Sequence, residues 1–185
     1  MSSLYRPADF ELPPVGQAAL LSEVFDAALT QTLMQEVTSA AYKQLSPTQN
    51  RYMAIPYDTF IENAQDLGLE ATVTCVQTLG QIITASGIRG LTRIGTQVET
   101  SKRLGKHRDP TKGLGLLIVG DQVTYMHGGG RFSDIQRTKQ TATTGDVLAL
   151  NNLTTYIFRP IHAVSNAHGP RVIFDFTLPQ ESAQH

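Results

Sequence analysis

Apolar residues recur at helical spacing in the first half of the chain and at strand spacing in the second. Leu20, Leu21, Val24, Phe25, Ala28, Leu29, Leu33, Val37, Ala40, Ala41 and Leu45 fall on one helical face, which predicts one long amphipathic helix ended by Pro47. A second helix is expected near residues 58–67. Cys75, Val76, Leu79, Ile82 and Ile83 suggest a third, stopped by Gly87 and Gly90, while Val73 and the nearby threonines leave a strand open there. Beyond residue 90 come short β-branched or apolar runs: Leu114 to Val119, Gln122 to Met126, Val147 to Leu150, Thr155 to Phe158, Ile161 to Val164 and Arg171 to Leu178. Gly-Asp, Asn-Asn, Arg-Pro and Gly-Pro pairs divide them, the punctuation of a β-sandwich or barrel. The expected plan is α+β: one domain, 1–185, with a mainly helical section (1–88) packed on a strand-rich core (89–180).

Composition adds bounds. A formal charge of −1 gives no global attraction to a polyanion, so nucleic-acid binding would need a local patch, and Lys102, Arg103, Lys106 and Arg108 supply a candidate. One cysteine, Cys75, cannot form an internal disulfide. No N-terminal basic segment leads into a long apolar run, and no run approaches the ~18 apolar residues of a membrane helix. An intracellular soluble protein, cytoplasmic or nuclear, is expected.

The chemistry concentrates in two runs, KHRDP and IHAVSNAHGPR, whose histidines His107 and His162 stand 55 residues apart. His107 and Asp109 are two apart, so on an extended segment both side chains reach the same side, with Arg108 pointing away. In a jelly roll each strand and its turn uses roughly 8–12 residues, which puts a ligand five strands later about 40–60 residues on, where His162 lies. His127 is 20 residues past His107, too close for that geometry, and Gly128–Gly130 follow it. Two imidazoles and a carboxylate on one face form a site for non-haem Fe(II) with open positions. The alternatives are a surface ion pair for His107 and Asp109 and a satisfied core histidine for His162. Arg171, nine residues after His162, opens an apolar run; antiparallel pairing across the 166–170 turn would set it beside the His162 strand. A buried arginine there needs an anion. Its alternative is a strand-edge pair with Asp146 or Asp175.

His-x-Asp, about fifty residues, His, then Arg nine residues on, with Gly145-Asp146-Val147-Leu148 similar to the Gly-Asp turn that precedes the strand before the distal histidine, resembles the Fe(II)/2-oxoglutarate-dependent dioxygenase superfamily over roughly residues 91–180. The resemblance implies a double-stranded β-helix (jelly-roll) core, His107, Asp109 and His162 as iron ligands, and Arg171 on the distal carboxylate of 2-oxoglutarate. It also implies O2 as second co-substrate and succinate and CO2 as products, with hydroxylation or oxidative demethylation of an organic substrate. Many relatives carry serine two residues after the arginine; Ile173 stands here, so the carboxylate needs another partner, for which Thr124 or Tyr125 could supply a hydroxyl. Arg93 and Gln97 could face the co-substrate or substrate, or lie at the surface; Asn151 and Asn152 could contact substrate or form a turn.

The order of elements and the run Gly128 to Phe132 resemble the nucleobase-acting AlkB-like and ten-eleven-translocation/J-binding groups, although Thr177 replaces the second arginine of the AlkB-like signature. That resemblance implies a nucleobase substrate stacked on Tyr125, Phe132, Tyr156 or Phe158; a small-molecule substrate is equally compatible. The loop 128–137 is the expected substrate-selecting element. Outside the enzyme class stand a cupin-like metal-binding module and an interaction domain using the helical section.

Overall fold

The computed structural model describes residues 7–46, 52–128 and 138–179. Their main elements are β1 (Ala18–Leu21), α1 (Ala27–Val37), α2 (Ala40–Leu45), β2 (Ile55–Pro56), α3 (Tyr57–Asp66), α4 (Glu70–Ala85), β3 (Arg93–Glu99), β4 (Leu104–His107), β5 (Gly113–Val119), β6 (Val123–Gly128), β7 (Thr138–Ala142), β8 (Val147–Asn151), β9 (Ile161–Ser165) and β10 (Arg171–Thr177).

The single helix expected over residues 20–45 is a strand and two helices. Leu20 and Leu21 belong to β1, which pairs with β8 from Ala18↔Leu150 to Leu21↔Val147. Glu23 has a positive φ of 55°, and the Asp26 carboxylate accepts the Leu29 N–H at 2.8 Å, fixing the start of α1. The Thr38 hydroxyl turns back onto the carbonyls of Met34 and Gln35, and Ser39 caps α2 through the Tyr42 N–H. Apolar spacing survives this break because Leu33, Val37, Tyr42 and Leu45 are all buried. Spacing alone does not register caps.

The segment left open between helix and strand is α4. Val73 is buried with Cys75, Val76, Leu79, Ile82 and Ile83, and the hydroxyls of Thr74 and Thr78 bond carbonyls one turn back. Leu69 gives α4 no side-chain cap. Glu36 of α1 reaches across instead, accepting the N–H groups of Ala71 and Thr72 at 2.9 and 2.7 Å and the Thr72 hydroxyl. A carboxylate at a helix N-terminus also meets the favourable end of the dipole.

Two sheets carry the rest, with every strand pair antiparallel. The larger runs β1-β8-β5-β10-β3-β2 and the smaller β4-β9-β6-β7. From β3 onward the chain crosses repeatedly: β3, β5, β8 and β10 lie in the first sheet, β4, β6, β7 and β9 in the second. On the outer face of the larger sheet Ile94, Leu114, Leu116, Ile118, Val172, Phe174 and Phe176 share a core with Leu33, Tyr42, Phe60 and Leu79 of the helices. On its inner face Leu117, Leu148, Leu150 and Ile173 pack against Val123, Tyr125 and Val164 of the smaller sheet. The layers are therefore helices, sheet, sheet.

Two further expectations are corrected. Thr155 to Phe158 is not a strand: Tyr156–Phe158 form a 3-10 turn with exposed side chains, tied by Arg159 Nε donating to the Thr154 carbonyl at 3.2 Å. β9 and β10 do not pair across residues 166–170. Both edges of β9 are taken by β4 and β6, and both edges of β10 by β3 and β5, so the connection crosses between sheets. β7, mostly polar and exposed, offered no apolar alternation to predict it. No helix among the described residues is long and apolar enough to cross a membrane.

Candidate metal centre

β4 ends on His107, and its antiparallel partner on β9 is His162. Directly paired residues project to the same side of a sheet, and the two imidazoles meet with centroids 4.1 Å apart. Asp109, fully buried just past β4, completes the group: its Oδ1 is 3.6 Å from His107 Nε2 and 3.8 Å from His162 Nε2. The candidate ligand atoms all lie within 4.8 Å of one another. Such separations suit three ligands each about 2.0–2.2 Å from one ion, and two imidazoles with one carboxylate fit a six-coordinate ferrous ion with open positions. His107 Nδ1 lies 2.8 Å from the Gly105 carbonyl; donation there leaves Nε2 its lone pair, the tautomer a metal needs.

The loop carrying Asp109 is clamped from behind. Arg159 Nη1 donates to the Asp109 carbonyl at 2.9 Å and to the Pro110 carbonyl, while Arg108 Nε donates to the Arg159 carbonyl at 3.3 Å. Burial lowers the basicity of Arg159, and the Asp109 charge opposes that shift. Gly115 of β5 makes room: a Cβ there would stand 3.0 Å from Asp175 Oδ1 and 3.5 Å from Asp109 Oδ2. Arg159 and Gly115 escaped the sequence reading, the first because Arg-Pro reads as turn punctuation, the second because a glycine inside the expected Leu114 to Val119 strand carries no side chain to mark it.

Arg171 opens β10 on the inner face, 1% exposed. With Gln97, Glu99, His107, His162 and Ile173 it lines a cavity of about 200 Å³, small beside the ~300–1,000 Å³ of drug-sized sites. Its Nη2 donates to the Ser101 carbonyl at 3.1 Å and lies 4.0 Å from Glu99 Oε1. Glu99 is therefore the acid beside Arg171; the Asp146 carboxylate is committed to the backbone N–H groups of Glu23 and Thr143, and Asp175 stands four residues, about 13 Å of strand, further along β10. Arg171 Nε and Nη1 are buried without a hydrogen-bond partner among the described residues, and so is the Tyr125 hydroxyl. Burial pushes the Tyr125 phenol well above its ordinary value, with Arg171 pulling it the other way, so the group stays a donor.

Of the other sequence candidates, Gln97 lines the cavity. Thr124 does not: neighbours on β6 alternate, and the buried Val123 and Tyr125 take the inner face while the half-buried Thr124 takes the outer. Arg93 does not either. It starts β3, six residues and about 20 Å of strand before Glu99, and donates to the Ala54 carbonyl. Asn151 is no turn residue; it ends β8 and donates to the Pro13 carbonyl at 2.9 Å. His127 is the β6 partner of His162 and bonds Gln140 Oε1 through Nε2 at 2.8 Å. Residues 129–137 of the expected substrate loop, Phe132 included, lie outside the described residues. A larger groove of about 750 Å³, lined by Tyr57, Gly80, Ile83, Ile88, Leu91 and Phe176 among others, lies on the helical side, and its one formally charged lining residue is Arg89.

No protein-family model matches the chain, and no curated protein matches it. Among solved structures it is similar to a prolyl-4-hydroxylase from Pseudomonas putida, with a TM-score of 0.54 and 10% identity over 90% of this chain and 89% of that one. The fold is thus shared with that hydroxylase, and the triad of this chain fits a His-x-Asp…His pattern.

Proposed function

We propose that the protein is an Fe(II)- and 2-oxoglutarate-dependent oxygenase that hydroxylates or oxidatively demethylates an organic substrate. One observation carries the reading: a fully buried arginine with two open donors, and a buried tyrosine hydroxyl with one, belong to the inter-sheet region that presents two histidines and an aspartate. A buried guanidinium is costly without an anion, and its planar fork suits a carboxylate. The crossing of successive strands between sheets supports a double-stranded β-helix, the plan the sequence resemblance implies.

On this reading His107, Asp109 and His162 hold the iron, and Arg171 with the Tyr125 hydroxyl takes the distal carboxylate in place of the serine that Ile173 replaces. Bound together, iron, 2-oxoglutarate and O2 supply an oxidative decarboxylation to succinate and CO2 coupled to oxygenation of a substrate C–H bond. The protein contributes orientation: the Gly105 carbonyl sets the His107 tautomer, Arg159 holds the Asp109 loop, and Leu117 and Ile173 give the cavity an apolar wall.

The test is succinate formation by anaerobically iron-loaded protein once air is admitted. Wild type should form succinate and His107→Ala none, while Arg171→Ala should keep its metal and bind 2-oxoglutarate about 100-fold more weakly, the loss of roughly two charge-assisted hydrogen bonds. Metal uptake without either 2-oxoglutarate binding or succinate would point to a cupin-like metal-binding module instead.

A nucleobase substrate is the second reading, favoured by Tyr156 and Phe158 standing exposed beside the Arg159 clamp, with Lys102, Arg103 and Lys106 exposed along β4 and its approach. Stacking platforms flanked by cations suit single strands. Single-stranded DNA should then bind with an affinity that falls steeply with salt and drops further in Tyr156→Ala/Phe158→Ala; salt-independent or absent binding removes this reading.

A further inference from the structure

We propose that Glu99 is a specificity-determining residue of the co-substrate cradle, a fixed negative charge beside Arg171 that holds back the distal carboxylate of 2-oxoglutarate and so sets its affinity. This rests on the reading of the cavity as a 2-oxoglutarate site.

Glu99 and Arg171 are directly paired across β3 and β10, so both side chains project to the inner face. At 4.0 Å the nearest carboxylate oxygen is beyond hydrogen-bond range of Arg171 Nη2. Ser101 mediates between them. Its N–H and hydroxyl both donate to Glu99 Oε1, and its carbonyl receives Arg171 Nη2. The carboxylate is thereby committed to the turn after β3, while Arg171 Nε and Nη1 keep their donors. A direct two-pronged pair would have spent those donors and closed the cradle to anions; the observed placement cancels the charge of Arg171 and leaves its geometry open.

The carboxylate is ionised as it lines the cavity. Burial pushes its pKa up, but the hydroxyl and N–H of Ser101, the Arg171 charge and the Thr100 N–H together outweigh that and hold it below the ordinary value. A ligand bringing a carboxylate to Arg171 therefore meets one cation and one anion. Like charges a few ångströms apart in a partly buried site repel strongly enough to matter by tenfold or more. The selectivity follows: the distal end of 2-oxoglutarate must use both open Arg171 nitrogens and the Tyr125 hydroxyl to overcome Glu99, and an anion that makes only one contact is rejected.

The experiment is anaerobic calorimetric titration of zinc-loaded protein, which reads binding without turnover. The probes are 2-oxoglutarate and 2-oxopentanoate, the same chain with a methyl group replacing the distal carboxylate. Glu99→Gln keeps acceptors for Ser101 and removes the charge; it should bind 2-oxoglutarate about tenfold tighter and 2-oxopentanoate as wild type does. Glu99→Met, a second neutral variant, carries the same expectation should the first not fold. Unchanged or weaker 2-oxoglutarate binding in the folded neutral variant overturns the proposal, as does an equal gain for both probes, which would mark a general loosening of the cavity. A wild type that holds zinc and binds no 2-oxoglutarate removes the parent reading, and this one with it.

Discussion

On β10, Val172, Phe174 and Phe176 face the helices while Arg171, Ile173 and Asp175 face the second sheet, and all six are buried. The outer positions interlock with Tyr42, Phe60 and Leu79 and leave nothing polar wanting; even Thr96, the hydroxyl on the helical side of β3, bonds the Tyr42 hydroxyl. The inner positions keep a guanidinium with open donors. Burial means stability on one side of the strand and binding capacity on the other. A burial profile alone would not separate them; the count of satisfied donors does.

That contrast can be broken most forcefully by truncation on each side. Phe174→Ala should cost about 3–5 kcal/mol in urea denaturation, as large-to-small core changes do. Arg171→Met combined with Glu99→Gln, which removes both members of the charge pair, should cost less than about 1 kcal/mol or stabilise, while 2-oxoglutarate binding is lost. Equal destabilisation by the two would refute the division. A smaller effect should follow Arg159→Ala, which removes the donor to the Asp109 and Pro110 carbonyls: about 10–100-fold weaker metal binding by competition with a chelator, with the far-ultraviolet circular dichroism unchanged. A variant that kept full metal affinity would show that the Asp109 loop holds its shape without the clamp.

The grouping of His107, Asp109 and His162 was legible because its spacing is local in one half and countable in strands in the other. Arg171 was legible as a residue and misjudged as a neighbour: the turn at 166–170 looks like a hairpin, and only the occupied edges of β9 and β10 show that it crosses between sheets. Thr124 and Tyr125 could not be separated before the phase of β6 was known, since one residue of register exchanges the two faces. Glu99 was within reach. Gln97 is a residue that could face the co-substrate or the surface, and alternation carries Glu99, two residues on, to the same face as Gln97. The break before α1 escaped because Leu20 and Leu21 fit the helical period as well as they fit a strand.

His107 and His162 pair across 55 intervening steps of chain, Glu99 and Arg171 across 72. Contacts of such range form late and slowly, after the entropy of closing long loops has been met. A metal ion held by His107, Asp109 and His162 would therefore find its three donors together only once the two sheets have formed, and could not act as the seed around which the chain condenses. It would act by mass action instead, adding RT ln(1 + [metal]/Kd) to a finished fold. Under the proposed function, iron supply should govern how long the native state survives, and leave the rate at which it is reached to the sheets.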